Sequence, residues 1–133
     1  MTMTINEKAA ALTEMGMVRP ISFDERNRIT GVIVAARNLD MAYVRYERRG
    51  GIIYVASCDH VASCERYNHK CEGHSHGHVC YHSRAGLMMS AALAETELTF
   101  YGSEPEAAGG TVIRVVVPGH DEKSVWVCYK EKR

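Results

Sequence analysis

The spacing of apolar residues changes along the chain, and each change predicts a different element. After a capping box at residues 4–7, apolar residues recur at helical spacing as far as Gly16, which predicts a short helix over residues 5–15. A second capping box at residues 22–25 precedes another apolar stripe, and we predict a helix over residues 23–38. The β-branched residues within this stripe leave a strand as the alternative.

Alternation with a period of two follows and predicts strands. Residues 42–47 and 52–56 alternate on either side of the glycine pair 50–51, so we predict a hairpin whose turn uses positive φ angles. Helical spacing then returns, and we predict a helix over residues 83–95 with Ser83 as its cap. The C-terminal part is strand-like again, with a strand over 97–101 and a second hairpin over 111–117 and 124–129.

Composition narrows the function classes. The 133 residues suit one domain, and a hydrophobic share of 46% argues against a disordered chain. The 16 basic and 16 acidic groups cancel, which argues against nucleic-acid binding through bulk electrostatics. No apolar run reaches the roughly 18 residues of a membrane span. Because the first residues also lack a signal-peptide pattern, we expect a cytoplasmic protein with no membrane partner.

Cysteine and histidine are concentrated in one segment. The 25 residues from Cys58 to His82 hold four of the five cysteines and six of the seven histidines. An odd number of cysteines in a chain expected to be cytoplasmic indicates thiolate metal ligands rather than a disulfide framework. Thiolates and imidazoles together favour Zn²⁺ over magnesium or calcium, so we predict a zinc site here.

The pair Cys80 and His82 is the most informative part of this segment. It stands at the mouth of the predicted helix, where a Cys-x-His turn places two ligands on one side of the chain. Cys64 and Cys71 are the natural upstream ligands, and Cys58 competes for either place. A zinc site with four protein ligands is closed and structural, whereas a catalytic site keeps one position open.

Residues 41–95 resemble the SWIM-type zinc finger family. In that family a strand hairpin leads to a Cys-x-Cys pair, a spacer and a Cys-x-His turn before a helix. Residues 54–57 resemble the strand before the first ligands, residues 64–67 resemble the second cysteine and its polar stretch, and residues 77–82 resemble the Cys-x-His turn. Leu87 and the alanines after it resemble the packing helix.

The chain departs from the family pattern at one position. Ala62 stands where the first cysteine of the Cys-x-Cys pair would fall, so Cys58 or Cys71 would have to supply that ligand. The resemblance implies a small zinc-held module that binds DNA or proteins and does not catalyse a reaction.

His74, His76 and His78 alternate with small residues next to this site. On an extended segment their imidazoles would point to one side and could hold a second metal ion, either in a metal sensor or in an enzyme with Glu72 or Asp59 as base. A flexible polar spacer explains the same pattern, and we favour it because glycine and serine support ligands poorly.

Two further groups are weaker candidates. Arg45, Arg48 and Arg49 surround the first hairpin and are the candidate partner-binding residues, although we favour a solvated hairpin tip as the explanation for them. Cys128 lies in a predicted strand, and we expect a buried apolar side chain rather than a metal ligand.

These patterns together predict a small, zinc-stabilised α+β fold. It consists of N-terminal helices, a β-hairpin that leads into a Cys/His knuckle and helix, and a C-terminal β-hairpin. We divide the chain into an N-terminal helical segment (1–40), a SWIM-like zinc-binding module (41–95) and a C-terminal hairpin segment (96–133), packed as one domain.

The predicted function is that of a non-catalytic interaction module. Its partner would be a protein, as for an accessory subunit or an inhibitor, and the neutral charge favours this over DNA or RNA. A small-molecule substrate is not expected, because the usual acid–base partners and phosphate loops are missing. The alternatives are a DNA- or RNA-binding zinc finger and a metal-dependent enzyme or sensor built on the three histidines.

Overall fold

The computed structural model describes residues 3–35, 41–61, 69–106 and 109–132. In these ranges the helices are α1 (Ile5–Glu14), α2 (Glu72–Ser75) and α3 (Tyr81–Leu93), with a short 3-10 helix at Asp121–Lys123. The strands are β1 (Val18–Phe23), β2 (Ile29–Ala35), β3 (Met41–Arg49), β4 (Ile52–Val61), β5 (His69–Lys70), β6 (Thr96–Tyr101), β7 (Thr111–Val116) and β8 (Val125–Glu131).

The strands form one mixed sheet with helices packed on it. Its order is β1-β2-β3-β4-β7-β8-β6, and β5 pairs with the far end of β4. Neighbours are antiparallel except β4 and β7, which pair in parallel along Ile52, Ile53 and Tyr54. α3 contacts β1 to β4 and β6, and α1 packs against α3. The α+β class is therefore confirmed, and strands from all three predicted segments share this sheet.

The core lies between the sheet and α3. Val32, Val44 and Val55 of three adjacent strands are fully buried, and Ala85 and Leu87 of α3 belong to the same cluster. These are the inward positions of strands that alternate with a period of two, so the sequence pattern itself sets which side chains reach α3.

Tyr46 fastens α3 to β3. Its phenol donates a buried hydrogen bond of 2.6 Å to the carbonyl of Ser83 in the first turn of α3. Gly86 makes this approach possible, because a Cβ there would overlap the Tyr46 hydroxyl and lie 2.9 Å from a methyl of Val32.

Two predicted helices are present. The first is α1, and its capping box is formed by Thr4 and Glu7, each accepting a backbone hydrogen bond from the other. The predicted helix over 83–95 is α3, which begins earlier because Cys80 rather than Ser83 is its N-cap residue. This difference brings Cys80 and His82 onto the first turn of α3.

The prediction of a helix over residues 23–38 is wrong. Residues 29–35 form β2, which is buried between β1 and β3, and residues 36–38 lie outside the described ranges. The β-branched side chains suit this pleated strand, whose residues are buried or half-buried, better than a helical stripe. Asp24 accepts backbone hydrogen bonds from Arg26 and Arg28, so the apparent capping box closes a turn between β1 and β2.

Both predicted hairpins are present. β3 and β4 flank Gly50 and Gly51, whose φ angles of 57° and 77° match a turn with two positive φ values. β7 and β8 form the second hairpin, and β6 extends the sheet on the other side of β8. Within the described ranges no helix is both long and apolar enough to cross a membrane.

Candidate metal centre

Four buried side chains converge where β4, the chain before α2 and the start of α3 meet. They belong to Cys58, Cys71, Cys80 and His82, and their ligand atoms all lie within 4.8 Å of one another. Cys71, Cys80 and His82 are three of the four predicted ligands, and Cys58 is the competitor for the fourth place. Cys64 lies outside the described residues.

A β-bulge brings Cys58 to this centre. Arg45 pairs with Ser57 and the next residue, Tyr46, pairs with Val55, so Ala56 is an extra residue in β4. An extra residue reverses the alternation of side chains along a strand. Val55 and Cys58, three positions apart, consequently both face the core.

Cys71 is held beside Cys58 by the main chain. Its amide donates a hydrogen bond of 3.1 Å to the carbonyl of Cys58, directly after the short pairing of β4 with β5. Gly73, the second residue of α2, lets the chain pass close to Cys80, because a Cβ there would lie 3.2 Å from the Cβ of Cys80.

Cys80 and His82 occupy the start of α3. Cys80 is the extended N-cap residue, and His82 lies in the first turn. The Ser83 hydroxyl donates to the Cys80 carbonyl at 3.0 Å and lies 3.3 Å from the Cys80 sulfur. The N-terminus of a helix stabilises nearby negative charge, so this position favours a Cys80 thiolate.

The separations between donor atoms suit one tetrahedral ion. Zn–S bonds of about 2.3 Å and Zn–N bonds of about 2.0 Å in a tetrahedron imply donor separations of about 3.5–3.8 Å. The Nδ1 atom of His82 lies 3.7, 3.6 and 3.8 Å from the sulfurs of Cys58, Cys71 and Cys80. The sulfurs of Cys58 and Cys80 are 3.6 Å apart. A metal ion could therefore bind to all four donors at once.

The donors influence one another's protonation. Hydrogen bonds with Cys58 and Cys71 hold the pKa of Cys80 far below its usual range. The same kind of contact with Cys71 and Cys80, together with burial, raises the pKa of Cys58. Burial alone would lower the pKa of His82, but its hydrogen bonds with Cys71 and Cys80 raise it to about 9. A metal ion would displace the protons that the cluster holds.

The surroundings of the centre include residues that the sequence pattern did not single out. The Tyr81 ring lies against the His82 ring, tilted by 34° and with centroids 4.0 Å apart. Arg84 donates from Nε to the carbonyl of Val79 at 2.9 Å, which ties the chain before Cys80 to α3. Neither residue type is diagnostic of a metal site, so only the three-dimensional arrangement reveals these roles.

His74, His76 and His78 do not form a second cluster. The structure places His74 in α2 and His76 in the turn that follows, so the extended backbone needed for their convergence is missing. His76 and His78 are exposed, and among the described residues the only group with metal-ligand spacing is the one of three cysteines and His82.

The three hairpin arginines do not share one surface. Arg48 points inward and donates to the carbonyl of Ile29 at 2.8 Å, and burial lowers its pKa. The guanidinium carbon of Arg49 lies 4.5 Å from the centroid of the Tyr54 ring. Nη2 of Arg49 lies 3.7 Å from a carboxylate oxygen of Glu47. Arg45 is exposed on the face that it shares with Glu47. Cys128 is buried, as expected.

Comparison with protein-family models, with curated proteins and with solved structures gave no match to this chain. The resemblance to SWIM-type zinc fingers therefore depends on the chain's own residues, above all Cys80 and His82 at the start of α3. It stays a prediction, and the geometry of the four donors is the main clue to function.

Proposed function

We propose that the centre holds one structural Zn²⁺ and that the chain is a non-catalytic interaction module. The observation that carries this proposal is the tetrahedral spacing of four buried donors from three parts of the chain. Zinc is the proposed metal because three soft thiolates and one imidazole make up the donor set. Cys58, Cys71, Cys80 and His82 would be its ligands.

A structural role follows from the closed donor set. Four protein ligands leave no position for a substrate or an activated water molecule, which catalytic zinc requires. The ligand-bearing segment between β4 and α3 contains only the two residues of β5 and the four residues of α2 in regular elements of the described chain. Metal binding would therefore supply folding free energy to this part of the molecule.

A protein is the partner that we propose. The chain has no net charge, and its three candidate arginines are divided between an inward and an outward face. Phosphate backbones are bound by clustered cations, so this distribution does not favour DNA or RNA. An accessory subunit or inhibitor of SWIM-like construction fits these features, and the reduced cytoplasm, where thiolates persist, is the proposed location.

Metal analysis tests the zinc proposal. Untagged full-length protein, purified without chelator, should contain one zinc per chain by elemental analysis. Replacement by Co²⁺ should give the intense visible bands of tetrahedral cobalt and a thiolate-to-cobalt charge-transfer band. Protein that neither contains nor takes up one equivalent of either metal would overturn the proposal.

A binding titration tests the choice of partner. In low salt, gel shifts of zinc-loaded protein with random-sequence DNA and RNA should show only weak binding. Tight binding that falls steeply as salt rises would identify phosphate contacts and replace the protein partner with a nucleic acid.

A further inference from the structure

The N-terminal helix α1 depends on a single neighbour. Among the described elements, α3 is the one with which α1 makes extensive contact. Ala9 is fully buried there, and the Thr13 hydroxyl lies 3.3 Å from the carbonyl of Ala85. An isolated helix of only ten residues is marginal in water, so α1 requires this docking to stay helical.

The docking surface on α3 includes the turn that carries the metal ligands. The ammonium nitrogen of Lys8 lies 5.4 Å from the ring centroid of Tyr81, the residue between Cys80 and His82. That ring in turn contacts the His82 imidazole. One face of the ligand turn therefore contacts α1 while the ligand atoms face the metal centre.

Arg84 provides a second connection. One guanidinium nitrogen donates to the side-chain oxygen of Asn6 at 2.9 Å. Its Nε donates to the carbonyl of Val79, next to Cys80. Arg84 thus joins α1 to the chain that enters the metal centre, and both connections need the first turn of α3 in its present conformation.

We propose that metal binding and docking of α1 are thermodynamically coupled, so that loss of the ion releases α1 from α3. This inference rests on the proposed zinc site. Metal ligation by Cys80 and His82 fixes the first turn of α3, and that turn holds Asn6 and Lys8. Linkage is reciprocal, so α1 docking must strengthen metal binding by the same factor. Release would uncover the apolar surfaces of Ala9 and Ala85.

Hydrogen exchange of the full chain tests the release directly. On removal of zinc by a chelator, amides of residues 5–14 should exchange at least about fivefold faster, the lower end of typical coupling factors. Amides of β7 and β8 should keep their rates. Unchanged exchange in α1, or equal acceleration throughout the molecule, would overturn the proposal.

Reciprocity gives a second test that does not depend on a folded metal-free state. The double variant Asn6→Ala with Lys8→Ala removes both contacts, and alanine keeps the helix propensity of α1 high. Its zinc affinity, measured by chelator competition, should fall about fivefold. Glu14→Ala, at an exposed position on the same helix, should bind zinc like the parent.

The outcomes separate the two proposals. A parent chain that binds no zinc would overturn both the zinc site and the coupling. A parent that binds one zinc ion, with equal affinity in the parent and the double variant, would overturn only the coupling.

Discussion

Between residues 69 and 82 the chain has a two-residue strand, a four-residue helix and the first turn of α3, whereas β7 and β8 pair along nearly their whole length. The first region buries two thiols and an imidazole beside the thiol of Cys58 in β4. The second buries aliphatic side chains such as Val115 and Val127, and β6 protects its far edge. The two regions differ in the kind of interaction that orders them.

This difference indicates that stability is divided between two sources. Burial of apolar side chains needs no bound metal, so the C-terminal strands should keep their packing in both the metal-bound and the metal-free protein. The cluster of polar donors is stable as a unit only when its charges and protons are compensated, and a bound ion does this.

The largest expected effect is the loss of one ligand. Cys80→Ala should weaken zinc binding more than about 100-fold and lower the free energy of unfolding by about 3 kcal/mol or more, because a three-donor site is left. Chelator competition and urea denaturation measure the two quantities. Cys128→Ala is the matched control at a buried cysteine outside the centre. It should bind zinc fully, and equal zinc loss in both variants would contradict the assignment.

A shortened side chain in the C-terminal strands should lower stability without weakening zinc binding. Val127→Ala removes fully buried methyl groups and should lower the free energy of unfolding by about 2 kcal/mol. Zinc content and affinity of the folded protein should stay those of the parent. Loss of zinc in this variant would show that the two regions are not independent.

Mild acid should weaken the metal centre and leave the C-terminal strands unchanged. Zinc needs a neutral imidazole and thiolates, and the pKa of His82 is raised to about 9, so below that pH a proton competes with the metal. Zinc affinity should fall roughly tenfold per pH unit for each displaced proton, equivalent to about 1.4 kcal/mol. Chelator competition between pH 8 and pH 6 measures this slope.

The single tryptophan supplies the internal reference for that titration. Trp126 lies in β8, and its fluorescence should stay constant while zinc is released. A change in Trp126 emission that parallels zinc release would contradict the separation of the two regions.

The smallest expected effect concerns the hydrogen bond between the sheet and α3. Tyr46→Phe removes the bond to the Ser83 carbonyl and should lower the free energy of unfolding by about 1 kcal/mol. Tyr43→Phe, on the outer face of the same strand, is the control and should change stability by less. Equal effects in urea denaturation would show that the buried bond contributes little.

Local patterns were sufficient to predict the elements that depend on neighbouring residues. The capping box of α1, the glycine turn between β3 and β4, and the Cys80–His82 pair before α3 are all confirmed as local features. In each case the residues that determine the feature lie within one turn of it. The pair of candidate ligands was recognisable for the same reason.

Features set by distant strands could not be predicted in this way. β2 is a strand because β1 and β3 hydrogen-bond to both of its edges, and the sequence of β2 alone fits a helical stripe as well. Cys58 was one of several candidate ligands, since its orientation depends on the pairing register of β3 with β4. Register is a tertiary property that periodicity does not contain.

The bulge at Ala56 sets which residues of β4 face the core on either side of it. Ala56 is exposed, and the extra residue that it provides decides which way Cys58 points. A relative that lacked this one alanine would pair β3 with β4 without a bulge and would keep Cys58 directed inward, because Val55, Ser57 and Cys58 would then alternate regularly. A relative that kept the alanine but paired without the bulge would turn Cys58 away from the other three ligand residues. Inheritance of the metal centre should therefore be judged by whether the pairing of β3 with β4 keeps Val55 and Cys58 on one face, as well as by the ligands themselves.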